Sequence, residues 1–163
     1  AIATEPAPPP EAVARLKHRI ESVKPLVART SPEAGRTMVE NLCLACHVAG
    51  GKGVSLAPPL DGSSKRDLDG LLTAILSPND AIEQAFRLFR VQTKNGGNLE
   101  GFKKREDAKD VTILLMGGVE QKIPHDDIKS AGYVNGRSFM PPIAEGMSDQ
   151  QIAEIAAFLR TLP

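Results

Sequence analysis

A mainly α fold, with a small β-hairpin insertion between the third helix and the C-terminal helix, is what the sequence predicts. Three observations carry that reading. Apolar residues recur at three- and four-residue intervals before residue 80 and again after residue 148. β-Branched and aromatic runs around glycine turns are confined to about residues 84–124. The only two cysteines lie three positions apart, at the end of a helical pattern, with a histidine directly behind them.

The N-terminal stretch Ala1-Ile2-Ala3-Thr4 leads into Pro6, Pro8, Pro9 and Pro10, which favour extended polyproline conformation and predict a mobile linker. Over residues 11–24, Val13, Leu16, Ile20 and Val23 form one face of an amphipathic helix that Pro25 should end or kink. His18 falls on the opposite, solvated face. Ser31 as N-cap, Pro32 at the first helical position and Glu33 in the first turn signal a second helix. Its Gly35, Met38, Val39 and Leu42 share one stripe, and Gly35 leaves room for another helix to approach closely.

Gly50, Gly51 and Gly53 make a loop that lacks the spacing of a phosphate-binding motif. Leu68, Leu71, Leu72, Ile75 and Leu76 define a third helix, with Ser64 as a candidate cap and Ser77-Pro78-Asn79 as its stop. Residues 86–93, the turn Asn95-Gly96-Gly97 and residues 99–104 predict a hairpin. Residues 111–115 and 119–123 around Gly117-Gly118 predict another, joined to the first by the charged, solvated run 103–110. Met116 is then a core-filling strand residue. Ser148 caps the last helix, whose buried stripe is Ile152, Ile155, Ala156, Leu159 and Leu162.

At 163 residues the chain is expected to form one domain with an appendage: residues 1–30 a linker and helical extension, residues 31–163 the domain proper, with its β insertion at about 84–124. Twenty basic and twenty acidic side chains cancel, so charge suggests neither a nucleic-acid nor an anionic-membrane partner. No apolar run approaches the ~20 residues of a transmembrane helix. A small N-terminal residue before a proline-rich stretch is what cleavage of a signal peptide leaves, which predicts a periplasmic, exported protein.

Cys43-Leu44-Ala45-Cys46-His47 carries the chemistry. A C-x-x-C-H sequence marks covalent attachment of a c-type haem: each thiol forms a thioether to one vinyl group, and the histidine behind them supplies an axial imidazole to the iron. A thioredoxin-like redox site would need a strand before Cys43, where the pattern is helical. A zinc site would need further ligands, and only His18 and His125 remain, both isolated. A disulfide across two intervening residues would close little chain entropy. With no Trp and few aromatic residues, the polypeptide core is modest, and one buried haem would complete it.

The ordered set of helix, C-x-x-C-H, Pro-x-Leu element, Met-Pro and final amphipathic helix resembles a class I cytochrome c, over about residues 31–163. Gly35, eight residues before Cys43, stands where that family has a glycine, and Ala57-Pro58-Pro59-Leu60-Asp61-Gly62 is similar to its Gly-Pro-x-Leu-x-Gly. Within the superfamily the chain is most similar to haem-binding domains of planctomycete and verrucomicrobial proteins, which carry a β-rich stretch before the methionine. The resemblance implies a cytochrome c fold and one haem c, with His47 as proximal ligand and the Pro58 carbonyl accepting from its Nδ1–H. It also implies Met140, in Met140-Pro141-Pro142, as the sixth ligand through Sδ. His125 is the rival sixth ligand, while Met38 and Met147 look like packing residues. The separation of His47 from Met140, residues 48–139, exceeds that of a minimal class I cytochrome.

A closed His47/Met140 site leaves the iron no position for substrate, so outer-sphere single-electron transfer between a redox donor and an acceptor protein is expected rather than enzymatic turnover. Peroxidase or gas-sensing activity would need a labile Met140. A third reading makes the chain the electron-transfer subunit of a dehydrogenase complex, docked through a patch such as Lys103-Lys104-Arg105.

Overall fold

The computed structural model describes residues 1–163. In chain order the regular elements are β1 (Ala3–Thr4), α1 (Pro10–Val27), α2 (Arg36–Met38), β2 (Val48–Ala49), β3 (Lys52–Gly53), α3 (Leu68–Leu76), β4 (Phe89–Thr93), β5 (Asn98–Glu106), β6 (Asp110–Leu114), β7 (Glu120–Pro124), β8 (Ile128–Asn135) and α4 (Asp149–Leu159). They fall into two compact units: a sheet unit of Ala1–Ala7 with Ile82–Met140, and a helical unit of Pro8–Ala81 with Pro141–Pro163.

The expected mainly α class is wrong. Helix of all kinds makes up 40% of the chain and strand 23%, and the chain has a six-stranded sheet as well as four helices. Two features of the sequence hid the sheet. The charged run after Lys103 is not a solvated turn: β5 continues to Glu106, bent by a bulge between Lys103 and Arg105, and pairs with β6. Lys103 bonds to Glu106 at 2.5 Å, and Arg105 reaches Glu120 at 3.6 Å, so the charges are paired along the strands. The second feature is β8, whose Gly132 interrupts any clean alternation; it pairs antiparallel with β4.

The N-terminal stretch is not a free linker throughout. β1 adds to β8 in parallel, Ala3 beside Val134, which gives the order β1-β8-β4-β5-β6-β7. Gly132 makes room for it: a Cβ there would lie 2.1 Å from Ile2 Cγ2. The core of the sheet unit comprises Phe89, Val91, Val111, Ile113 and Ile123.

In the helical unit, α1 runs through Pro25 to Val27. Pro25 removes one backbone hydrogen bond, but it sits in the last turn, and the burial of Val23 and Val27 on either side holds that turn to the core. The expected single second helix is instead a 3-10 turn (Pro32–Gly35), the short α2 and a π-helical turn (Val39–Cys43). Gly35 is pressed so closely on α4 that a Cβ would lie 2.0 Å from the Glu154 carbonyl oxygen. α3 is capped by Asp67, whose Oδ1 accepts the Gly70 N–H at 2.7 Å, and not by Ser64. Ser148 and Gln151 form a reciprocal capping box on α4. Leu71, Leu72, Ile75, Ile152, Ile155 and Val39 build the core of this unit. No helix is long and apolar enough to cross a membrane.

Candidate functional site

The π-helical turn delivers the cysteine motif. Leu44 N–H reaches back to Val39 O at 3.1 Å, and this widened last turn is a geometry that occurs most often at functional sites. Cys46 and His47 both donate to Cys43 O, at 3.1 and 2.9 Å, so a tight turn holds the two thiols and the imidazole together. The two cysteines form no disulfide with each other. Burial pushes the Cys43 thiol up to about 11, with Cys46 adding to the effect. A cysteine held neutral by burial is a poor thiolate ligand, whereas a thioether carries no charge and has no such conflict with its surroundings.

Downstream of His47 the backbone folds sharply back. β2 and β3 pair through Val48 with Gly53 and Ala49 with Lys52. Gly50 and Gly51 between them take φ of 55° and 77°, the left-handed pair that a two-residue hairpin requires. Asp61 Oδ1 accepts the Gly50 N–H at 2.9 Å and ties the turn down. Gly53 passes so near the motif that a Cβ would lie 2.1 Å from His47 O. The Cys46 carbonyl then accepts from Leu56 and Ala57, at 3.0 and 2.8 Å.

These bonds bring Pro58 to His47, with 2.5 Å between Nδ1 and the Pro58 carbonyl oxygen. A carbonyl can only accept, so Nδ1 carries the proton and donates it, leaving the Nε2 lone pair free for a metal. Cys43, Cys46, His47 and Pro58 are each half-buried. Leu42 and Val54, beside the motif, are 43% and 45% exposed, apolar side chains that a flat apolar group seated there would take out of water. Two thiols, an imidazole of fixed tautomer and an apolar rim together fit a covalently held haem.

Met140 is the last residue of the sheet unit and is anchored by its neighbours. Phe139 packs edge-to-face on Phe102 at 4.9 Å, and Phe102 on Phe86 at 5.5 Å. Arg137 bonds to Glu100 at 2.7 Å, and Glu100 also holds Arg90 at 2.8 Å. The Met140 N–H donates to Ser138 Oγ at 3.1 Å. Four of the five predicted site residues thus meet in the helical unit, while Met140 is seated by separate contacts in the sheet unit.

The other candidates have different settings. Nε2 of His125 lies 2.8 Å from Asp107 O and 3.8 Å from Glu106 Oε1, in a turn of the sheet unit. His18 is exposed on α1. Met38 and Met147 pack against the helical core. Met116 is not core: β6 ends at Leu114, and the following turn leaves Met116 50% exposed. Asp61 and Gly53 were missed as site residues, and only the short, glycine-rich return from His47 to Pro58 hints at their roles.

The family model described as Cytochrome c matches residues 32–118. The match takes in the π-helical turn, the cysteine motif, Pro58 and α3; Met140, α1 and α4 fall outside it. No curated protein is significantly similar to the chain.

Proposed function

Matched over more than half its length, the chain belongs to the cytochrome c family of haem c electron-transfer proteins, and on that premise we propose a monohaem carrier with His47 and Met140 as axial ligands. When bound, the haem supplies an iron that changes oxidation state by one electron. The chain's own residues do the rest. Cys43 and Cys46 would hold the group through thioethers. His47 presents Nε2, kept in that tautomer by Pro58 O, and Met140 presents a soft thioether sulfur that favours the reduced state. With both residues given to the group, no side chain of the chain would be needed as acid, base or nucleophile, and the partners it would serve are a donor and an acceptor redox protein.

The bond from His47 Nδ1 to Pro58 O is the observation that supports this reading most directly. We read residues 31–163 as the cytochrome domain, interrupted by strands β4 to β8, and residues 1–30 as an extension that lends β1 to the same sheet. The sheet between α3 and Met140 supports the likeness to the planctomycete and verrucomicrobial haem-binding domains. Cytochrome c domains are typically extracytoplasmic, and the periplasm is the proposed compartment. Absorption spectroscopy tests the ligand set. The oxidised protein is expected to show a weak sulfur-to-iron band near the red edge that Met140→Ala abolishes and His125→Ala leaves intact; a band that survives Met140→Ala refutes the assignment.

A further inference from the structure

Arg19 lies on α1, outside the residues that the family model matches. Its guanidinium is spent on one short segment of the same unit. Nη1 donates to Ala144 O at 3.2 Å, Nη2 to Met147 O at 2.5 Å, and Nε to Asp149 Oδ1 at 3.0 Å. Three bonds from one planar, rigid group fix the segment in both position and orientation. The carbonyls it holds lie in and just after the 3-10 turn Ile143–Gly146, and Asp149 opens α4.

On the other side of that turn the chain is equally constrained. The Ile143 N–H bonds to Pro141 O at 2.8 Å across Pro142, whose φ of −77° and ψ of 63° make an inverse γ-turn. Two consecutive prolines fix two φ angles, and the residue before them is Met140. Little rotational freedom therefore remains between the Arg19 anchor and the backbone of Met140.

We propose that Arg19 is a positioning residue for Met140: it holds residues 141–149 as a stiff strut, so that the thioether stays in place instead of swinging away. The inference rests on Met140 being the sixth ligand. It gives the N-terminal extension a function, as the element that locks the ligand segment. Lys24, on the same helix, bonds to Asp69 of α3 at 2.6 Å and leaves the strut untouched, which makes it the control.

The test uses the haem-loaded full chain in four variants: Arg19→Gln, Arg19→Lys, Lys24→Gln and Met140→Ala. Imidazole is titrated into the oxidised protein, where it competes with the sixth ligand, and amide exchange is followed over residues 143–147. Apparent affinity scales with the population of the open form. Loss of three hydrogen bonds should therefore raise imidazole affinity about tenfold or more in Arg19→Gln and speed exchange in the strut alike. Arg19→Lys, with the charge but not the fork, should fall between, and Lys24→Gln should match the wild type. Wild-type affinity in Arg19→Gln, or an equal rise in Lys24→Gln, overturns the inference. A sulfur-to-iron band that survives Met140→Ala removes the ligand assignment itself. A band that depends on Met140, with imidazole affinity indifferent to Arg19, removes only the role of Arg19.

Discussion

At Gly35 the fold leaves no room for a side chain. An added Cβ would lie 2.0 Å from the Glu154 carbonyl oxygen and 2.9 Å from the Ile155 nitrogen, and both are backbone atoms of α4 that cannot rotate away. Gly35→Ala should therefore cost about 2–3 kcal/mol, measured by denaturant unfolding. Gly50→Ala should cost about 1 kcal/mol, from its φ of 55° alone, since nothing lies within 4 Å of its Cβ position. The two thiols give a chemical prediction at the same scale. Cys43→Ser and Cys46→Ser should each keep the haem through acid-acetone extraction by one thioether, and the double variant should release it. These residues were legible because the information is local: a five-residue motif, and a glycine at fixed distance before it. Arg19 and Asp61 were not legible, because the groups they bond are chosen by the folded chain. Arg19 sits 130 positions from Asp149, and an arginine at the edge of an apolar stripe looks like any solvated one.

Helix and turn ends show how an element's boundaries depend on more than local sequence. Ser64 satisfies the rule for a cap, but its backbone N–H bonds to Leu162 O at 3.1 Å, and the 3-10 turn Ser63–Lys65 takes up the position, so Asp67 caps α3. Asp67→Ala should cost about 1 kcal/mol, while Ser64→Ala should lie within about 0.5 kcal/mol of wild type, both read from unfolding midpoints. The β5–β6 turn offers a pH test. The Asp107 carboxylate accepts the N–H groups of Lys109, at 2.7 Å, and Asp110, at 3.1 Å, and the Lys109 bond is the first cause of its lowered pKa. A carboxyl whose pKa is lower folded than unfolded stabilises the folded state above its unfolded value, near 4, and loses that contribution as pH falls through the folded value. The difference in thermal midpoint between wild type and Asp107→Asn should be full at neutral pH and shrink below about pH 4. A difference independent of pH refutes the role of the charge. The same turn explains the misread strand: charge pattern predicts exposure, and Lys104, Arg105 and Glu106 are indeed exposed, yet the backbone of Arg105 and Glu106 still pairs with β6, so exposed charged side chains do not rule out a strand.

Across the whole molecule, two cores with no residue in common determine how it responds to loss of its cofactor. The helical core was legible from 3.6-residue periodicity, because the apolar residues that α1, α3 and α4 bury recur at three- and four-residue intervals, as Leu68, Leu71, Leu72 and Ile75 do in α3. The closure of the sheet was not, since β1 is two residues long and joins β8 from the far end of the chain, a pairing that no local pattern encodes. The cysteine motif grows out of the helical core: Cys43, Met38, Leu60 and Leu68 pack against it. The sheet core draws instead on Phe89, Val91, Val111, Ile113 and Ile123, supported by Leu99, Leu115, Ile128 and Tyr133. A group attached at Cys43 and Cys46 stabilises the folded state of whatever it packs on, and no other part directly. Haem removal, most cleanly through the double serine variant, should therefore weaken the helical unit first. Amides of Val39, Ile152 and Ile155 should exchange at least about tenfold faster in that variant, while those of Val91, Val111 and Ile113 change less, as residue-resolved hydrogen exchange would report. A parallel loss of protection in both sets would mean that the two cores open as one cooperative unit, and the separation argued from their residues would be wrong.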